Sequence, residues 1–360
     1  MGDQRGGGGV RHPAAGFAMK AAVYSRFDGP DVVRVQEVPA PSPRRGELLI
    51  KVHASTVSAA DRRARSRDVP RGLGLFAALA LGVFRPRRAV LGMDVAGVVE
   101  AVGAGVTSVR PGTEVIAMLG SRFGGHAEYV CLPAEAAIAA KPSNMTFQEA
   151  VTPVFGGLTA LVFLNRAGLK PGDTVLINGA SGAVGTAAVQ LAKQSGAHVT
   201  AVCSDAGREL VTSLGADRVI DYSTIDFTAE ATKYDAVMDC VGNAPFERAE
   251  ASVKPGGSLL LVVADLKGII WSSWHSRISG KLVSAGNVQY TAKDLEYLVH
   301  LAEAGLFRSV SERTYALADV VKAHRFVDTG RKKGSVVLQI SGTSATPDIE
   351  HSGRGAAVGR

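Results

Sequence analysis

Apolar and polar positions alternate in short runs through the first 140 residues, and the period changes near residue 147. Residues 20–24, 32–35 and 48–52 are rich in β-formers and are divided by Asp28-Gly29-Pro30 and by the prolines between 39 and 43. Runs of this kind bounded by Gly and Pro turns predict strands. Residues 95–102, 113–118 and 126–131 extend the pattern, with Pro111-Gly112 as one of its turns. An all-β, barrel-like domain with small inserted helices is expected here. From residue 147 a helical period sets in and predicts a helix over 147–167, Pro153 included. Strands at 174–178, 199–203, 219–221, 236–239 and 258–263 then interleave with helices at 183–195, 207–214 and 245–251. That alternation predicts a parallel, doubly wound sheet. Helices at 294–304 and 317–328 and a strand at 335–340 follow, and no internal repeat is visible.

A chain of 360 residues exceeds one ordinary core, so two domains are expected. The 46% hydrophobic content supplies that core, and 20% charge argues against wholesale disorder. Cys131, Cys203 and Cys240 form no CxxC pair, which fits a reducing cytosol. No apolar stretch of signal-peptide type follows the glycine run at residues 6–9. Both chain ends read as disordered.

The net charge of +7 has a local origin: residues 62–88 hold eight arginines against one acid, Asp68. Such a cluster is either a solvated basic surface or a funnel for an anionic cofactor or substrate. No aromatic-interleaved or helix-turn-helix pattern accompanies it, which disfavours nucleic acid. Between these arginines, residues 73–84 are almost wholly apolar, far short of the ~20 needed to span a bilayer. A buried helix or a pocket-lining lid is expected, with interfacial membrane contact the lesser alternative.

The strand ending at Asn178 runs into Gly179-Ala180-Ser181-Gly182-Ala183-Val184-Gly185, and a helix follows at once. This context makes it a dinucleotide loop. Gly182 admits a pyrophosphate, Gly185 allows close helix–strand packing, and the helix start offers free N–H groups. Ala180 replaces the first glycine of the usual fingerprint. Ser204 ends the next strand, with Arg208 a turn beyond, and both suit a 2′-phosphate, so NADPH is expected. Lys332 and Lys333 could add charge. Asp205 would favour NAD if its carboxylate took the ribose hydroxyls.

The segments Leu91-Gly92-Met93-Asp94-Val95-Ala96-Gly97, Pro111-Gly112-Thr113-Glu114-Val115, Gly124-Gly125-His126-Ala127-Glu128-Tyr129 and 178–193 together resemble the medium-chain dehydrogenase/reductase superfamily, closest to its zinc-independent, zeta-crystallin-like quinone oxidoreductase branch. The resemblance covers about residues 19–341. It implies an α/β protein with a GroES-like β-barrel domain and a Rossmann domain, a cleft between them, and a C-terminal segment returning to the barrel domain. The expected division is a disordered extension at 1–18, the GroES-like catalytic domain at 19–143, the Rossmann domain at 144–285, the returning part at 286–341 and a disordered tail at 342–360.

Zinc-dependent members carry Cys and His where this chain has Ser58 and Met93, and a hydroxyl and a thioether do not replace them on Zn²⁺. No bound metal is expected. The resemblance places Ser58 near the nicotinamide, Asp61 and Arg65 in a D-x-x-x-R step, Arg63 where relatives have Tyr, Lys or His, and Thr159 at the nicotinamide region. It places Tyr222 beside the adenosine phosphate, and Cys240, Val241, Gly242 and Val263 along the cofactor. The expected reaction is hydride transfer to a quinone or enone, with the oxyanion held by Ser58, Arg63 and backbone N–H groups. Asp61 is a candidate catalytic residue or a turn carboxylate. The pocket wall is expected from residues 73–84, Trp271 and Trp274. Alternatives are an enoyl-thioester reductase acting on a CoA or carrier-protein substrate, and a non-enzymatic NADPH-binding interaction protein. A cytoplasmic homodimer without a transmembrane segment is expected.

Overall fold

The computed structural model describes residues 17–286 and 288–341. The expectations of disorder at the two ends therefore lie mostly outside the described residues. Ala18, expected in the N-terminal extension, already belongs to a strand.

The first half is built from β1 (Ala18–Tyr24), β2 (Val33–Pro39), β3 (Glu47–Thr56), α1 (Ala59–Ser66), α2 (Gly74–Leu81), β4 (Asp94–Val102), β5 (Glu114–Met118), β6 (Tyr129–Pro133) and β7 (Ile138–Ala140). The second half runs through α3 (Phe147–Ala167), β8 (Thr174–Asn178), α4 (Ala183–Gln194), β9 (His198–Cys203), α5 (Arg208–Ser213), β10 (Arg218–Asp221), β11 (Tyr234–Asp239), α6 (Phe246–Ala249), β12 (Val253–Leu261), α7 (Leu266–Ser279) and β13 (Leu282–Ala285). α8 (Ala292–Glu303), β14 (Ser311–Ala316), α9 (Val320–Asp328) and β15 (Ser335–Gln339) close the described chain.

β8 to β13 form one parallel sheet in the order β10-β9-β8-β11-β12-β13. This is the Rossmann order, and it reverses direction between β8 and β11, where a crevice for a dinucleotide opens at the strand ends. The other large sheet runs β14-β15-β3-β4-β5-β7, with β6 also on β3. β15 pairs antiparallel with β3, from Val337 on Thr56 to Gln339 on Ala54, so the chain's end returns to the β-rich unit. The fold is the expected α/β combination of a GroES-like unit and a Rossmann unit.

α3 joins the two. Its 21 residues are apolar and long enough to cross a membrane by composition, but they are mostly buried inside the protein. Leu158, Ala160 and Phe163 share one core with Ala54 and Ile116 of the barrel and with Val175 and Ile177 of the parallel sheet. Thr146 and Glu149 form a capping box at its start. Pro153 has no N–H for the Glu149 carbonyl, and the Thr152 hydroxyl donates to that carbonyl instead at 2.9 Å, which keeps the helix intact.

Arg65, one of the eight arginines of residues 62–88 and the last residue of the D-x-x-x-R step, is 1% exposed. Its guanidinium donates to Asp328 at 2.6 Å, to the Asp28 carbonyl at 3.2 Å, and pairs with His324 Nδ1 at 2.8 Å. It therefore fastens α1 to α9, the returning segment. A buried charge is tolerated only with such a full set of partners.

Candidate active site

The loop after β8 holds the left-handed conformation at Gly179 (φ +79°), where a Cβ would approach the Val241 side chain to 2.7 Å. The strained position precedes Ala180, which is why alanine is tolerated there in place of the fingerprint glycine. At Gly185 a Cβ would come within 2.2 Å of the Gly179 carbonyl, so helix and strand pack directly. Gly182 differs: its φ is −78°, and a Cβ would meet only the Gly179 carbonyl, at 3.5 Å. The fold itself leaves the space beside Gly182 open. α4 starts at Ala183 with no side-chain cap. Its first-turn N–H groups, from Ala183 through Val184 and Gly185, have no intrahelical acceptor, and the positive end of the helix dipole lies there. This is a cradle that fits a pyrophosphate.

The ends of β9 and β10 come together through the Tyr222 N–H donating to the Cys203 carbonyl at 3.2 Å, so the exposed Tyr222 lies near Ser204. Arg208 pairs with Asp205 at 2.9 Å. The two residues weighed against each other for NADP and NAD thus pair with one another. Lys333 reaches the same corner and donates to the Ala206 carbonyl at 3.3 Å. Lys332 points its ammonium at the Gly334 carbonyl (2.8 Å), and the Gly334 N–H donates to the Ser181 carbonyl (2.7 Å). A half-buried cation therefore stands two residues before Gly334, which bridges to the phosphate loop at Gly182. Burial lowers the Lys332 ammonium to about 8, with Glu312 opposing.

Beyond β11, the Asp239 carboxylate accepts the N–H groups of Val241, Gly242 and Ala244, each at 3.0 Å, and Asn178 Nδ2 at 2.9 Å. Asp239 and Asn178 thereby shape the loop that carries Cys240, Val241 and Gly242. The sequence names Asn178 only as the end of β8, and that position is the signal for its place here. Burial and the neighbouring Asp239 push the Cys240 thiol far up, so it stays protonated and unreactive.

A cleft of about 460 Å³ lies between Arg62, Arg63 and Arg71 on one side and Val241, Gly242, Val263 and Asp265 on the other. Its wall corrects an expectation: neither residues 73–84 nor Trp271 and Trp274 line it. α2 contributes no buried residue, so it is neither a buried helix nor part of this wall.

Ser58 caps α1, and the structure gives it an occupied hydroxyl. The Ser58 hydroxyl donates to Asp61 Oδ2 at 2.5 Å, and the Asp61 N–H returns a bond to Ser58 Oγ at 3.2 Å. Asp61 also accepts the Ser58 N–H and the Gly92 N–H, both at 2.8 Å, and is 0% exposed. The bonding of Asp61 is that of the turn carboxylate, one of its two expected roles, and the Ser58 hydroxyl points at it. Gly92 adjoins Met93, so the two positions that hold Cys and His in zinc-dependent relatives are brought together here with a hydroxyl and a thioether, a donor set unsuited to Zn²⁺. Thr159, nearly buried in α3, donates to the Phe155 carbonyl (2.7 Å) and pairs with the Tyr290 hydroxyl (3.1 Å). Tyr290, unmarked by any sequence motif, is held protonated by burial. Of the catalytic candidates, Arg63 alone lines the cleft.

The comparisons with known proteins agree with this geometry. The alcohol dehydrogenase GroES-like domain family matches residues 44–143, and the zinc-binding dehydrogenase family matches residues 214–338. The chain is 31% identical over 339 residues to the chloroplastic quinone-oxidoreductase QR1 of Triphysaria versicolor, covering 90% of this chain and 99% of that protein. It is 34% identical over 332 residues to a chloroplastic NADPH-dependent alkenal/one oxidoreductase of Arabidopsis thaliana, covering 89% and 79%. The solved quinone oxidoreductase of Coxiella burnetii superposes with a TM-score of 0.80 at 31% identity, covering 90% of this chain and all of that one. The protein is a pyridine-nucleotide-dependent oxidoreductase of the GroES-plus-Rossmann type. It belongs to the medium-chain dehydrogenase/reductase superfamily, in the quinone oxidoreductase branch.

Proposed function

We propose that this protein uses NADPH, without zinc, to reduce a quinone or an α,β-unsaturated carbonyl compound. One observation carries the reading. The phosphate loop and the arginine-lined cleft meet at Val241, which packs near Gly179 and lines the cleft, while the place of the zinc ligands holds Ser58 and Met93. The uncapped start of α4 and the open side of Gly182 would hold the pyrophosphate, aided by Lys332. Ser204, Tyr222, Lys333 and Arg208, once Arg208 leaves Asp205, would hold the 2′-phosphate. The loop at Cys240, Val241 and Gly242, with Val263, would place the nicotinamide end, near Thr159.

Bound NADPH supplies a hydride to an electron-poor carbon, and solvent supplies the proton that completes the two-electron reduction. Arg63 stabilises the negative charge that develops on the substrate oxygen, since its guanidinium keeps its charge in the partly desolvated cleft. Asp61 and Ser58 fix the start of α1 and so aim Arg63. Without a Lewis acid, the site favours acceptors that are already polarised over simple alcohols. The relatives' names, a quinone oxidoreductase and an alkenal/one oxidoreductase, support the same acceptor class.

The reading includes a homodimer, because β13 is the edge of the parallel sheet and its Leu282 is exposed. A cytoplasmic or otherwise reducing compartment fits the three free cysteines.

The test is steady-state kinetics with NADPH and NADH against quinones, enones, enoyl thioesters and alcohols. Turnover of quinones or enones with NADPH is expected. Preference for enoyl thioesters would move the protein to the thioester reductases, and turnover of none would leave a cofactor-binding protein. Ser204→Asp with Arg208→Ala should weaken NADPH more than NADH, because the carboxylate repels the 2′-phosphate and the guanidinium is lost.

A further inference from the structure

α2 carries an exposed apolar surface, as does α7 beside it, where Ile270, Trp271, Trp274 and Ile278 are exposed. The α2 sequence, Gly-Leu-Phe-Ala-Ala-Leu-Ala-Leu, is apolar on all faces, yet none of its residues is buried. Leu75 is 70% exposed, Phe76 57% and Phe84, just past its end, 91%. An exposed helix of this composition has lost the burial that normally stabilises it, and a patch of such size marks an interaction surface.

Charge says what covers it. From Val69 to Met93 the chain carries Arg71, Arg85, Arg87 and Arg88 and no acidic residue. All four side chains are exposed. Arg71 precedes the helix, and the other three are folded back onto its far end. The Arg87 N–H donates to the Leu81 carbonyl at 2.7 Å, and Arg67, just past the end of α1, donates to the Val83 carbonyl at 2.7 Å. An apolar helix is thus bracketed at both ends by cations.

We propose that α2 and its arginine bracket dock in the plane of an anionic phospholipid surface. The apolar side chains enter the headgroup–acyl boundary, and the arginines stay at the level of the phosphates. At 1.5 Å per residue, eight residues reach about 12 Å, too short to span a bilayer. A second copy is a poor occupant, because a two-fold interface would place the same four positive charges opposite themselves. Nucleic acid offers no place for the leucines and phenylalanines. The Leu266 N–H at the start of α7 donates to the Arg71 carbonyl at 3.0 Å, and Arg71 lines the cleft. Docking would therefore set the cleft mouth beside the bilayer.

The experiment is flotation of the full chain with phosphatidylcholine vesicles and with phosphatidylcholine–phosphatidylglycerol vesicles, across a salt series. It reads binding alone and does not depend on the reductase reading. Each arginine near an anionic surface contributes roughly fivefold, so Arg85→Glu, Arg87→Glu and Arg88→Glu together should lower affinity for the anionic vesicles by about a hundredfold. Phe76→Asp with Phe84→Asp should lower it by at least about tenfold, with the melting temperature unchanged. Circular dichroism and thermal unfolding of each variant confirm that it is folded. Wild-type protein that does not float with anionic vesicles at low salt overturns the proposal. So does equal flotation of the double aspartate variant. A concentration-dependent dimer that Phe84→Asp abolishes, without vesicle binding, overturns it in favour of a second copy.

Discussion

The Asp61 carboxylate accepts the Ser58 hydroxyl at 2.5 Å while its other oxygen accepts the Gly92 N–H at 2.8 Å. One buried side chain thereby fixes the start of α1 and the approach to β4, the two segments that carry the zinc ligands in metal-dependent relatives. Asp61→Ala would strand the Ser58 N–H and the Gly92 N–H together with the Ser58 hydroxyl. Each stranded buried group costs about 1–3 kcal/mol, so the variant should lose at least about 3 kcal/mol in denaturant titration. Ser58→Ala removes a helix cap and should cost about 1 kcal/mol. Its turnover should fall less than about tenfold, because the lost proton pointed at Asp61 and not at a substrate. An Asp61→Ala enzyme of wild-type stability and no activity would assign Asp61 to the chemistry instead.

Gly182→Val should fold and fail to bind cofactor. The protein leaves room for a Cβ at that position, and the backbone there needs no positive φ. The branched side chain would fill the space that a pyrophosphate takes. Calorimetry showing near-normal NADPH affinity in a folded variant would reduce the loop to a turn.

Lys332 gives the protein a pH signature. Its folded value of about 8 lies below the ordinary 10.5. Between those limits the unfolded chain holds more protons, so stability should rise with pH across the window. Lys332→Met should flatten that rise. An anionic cofactor favours the charged amine, so NADPH affinity should be greatest below about pH 8 and fall as the pH climbs through it. Proton uptake on binding, read from calorimetry in buffers of differing ionisation enthalpy, should peak near pH 8 and vanish in Lys332→Met. A pH-independent affinity in the wild type would separate Lys332 from the phosphates.

Purified protein should carry no stoichiometric zinc, and chelators should leave quinone or enone reduction intact, because Ser58 and Met93 offer no thiolate or imidazole. About one zinc per chain in elemental analysis, lost together with activity on chelation, would contradict this.

Local pattern carried much of this protein. The bounds of α3 and β8 follow from hydrophobic period and caps, and the phosphate loop follows from glycines set between a strand and a helix. All of these depend on neighbours close in sequence, where spacing translates directly into geometry. β14 was not legible, since Ser311–Ala316 has an exposed, largely polar pattern and is a strand only because β15 lies beside it. The sequence places Arg65 in a cluster and in the D-x-x-x-R step but does not show its burial, which depends on His324 and Asp328 of α9, more than 250 residues away. The Ser58 hydroxyl looked free to serve a substrate until Asp61 turned inward beneath Gly92. The run at residues 73–84 shows the limit most clearly. Its apolar sequence is the same whether the helix is buried or bare, because burial depends on what the rest of the chain brings against it. The sequence by itself determined the two folding units, the dinucleotide loop and the missing zinc ligands. Only the tertiary structure decided which polar groups were already satisfied, that Arg65 was buried among partners, and that the apolar α2 was left without a cover.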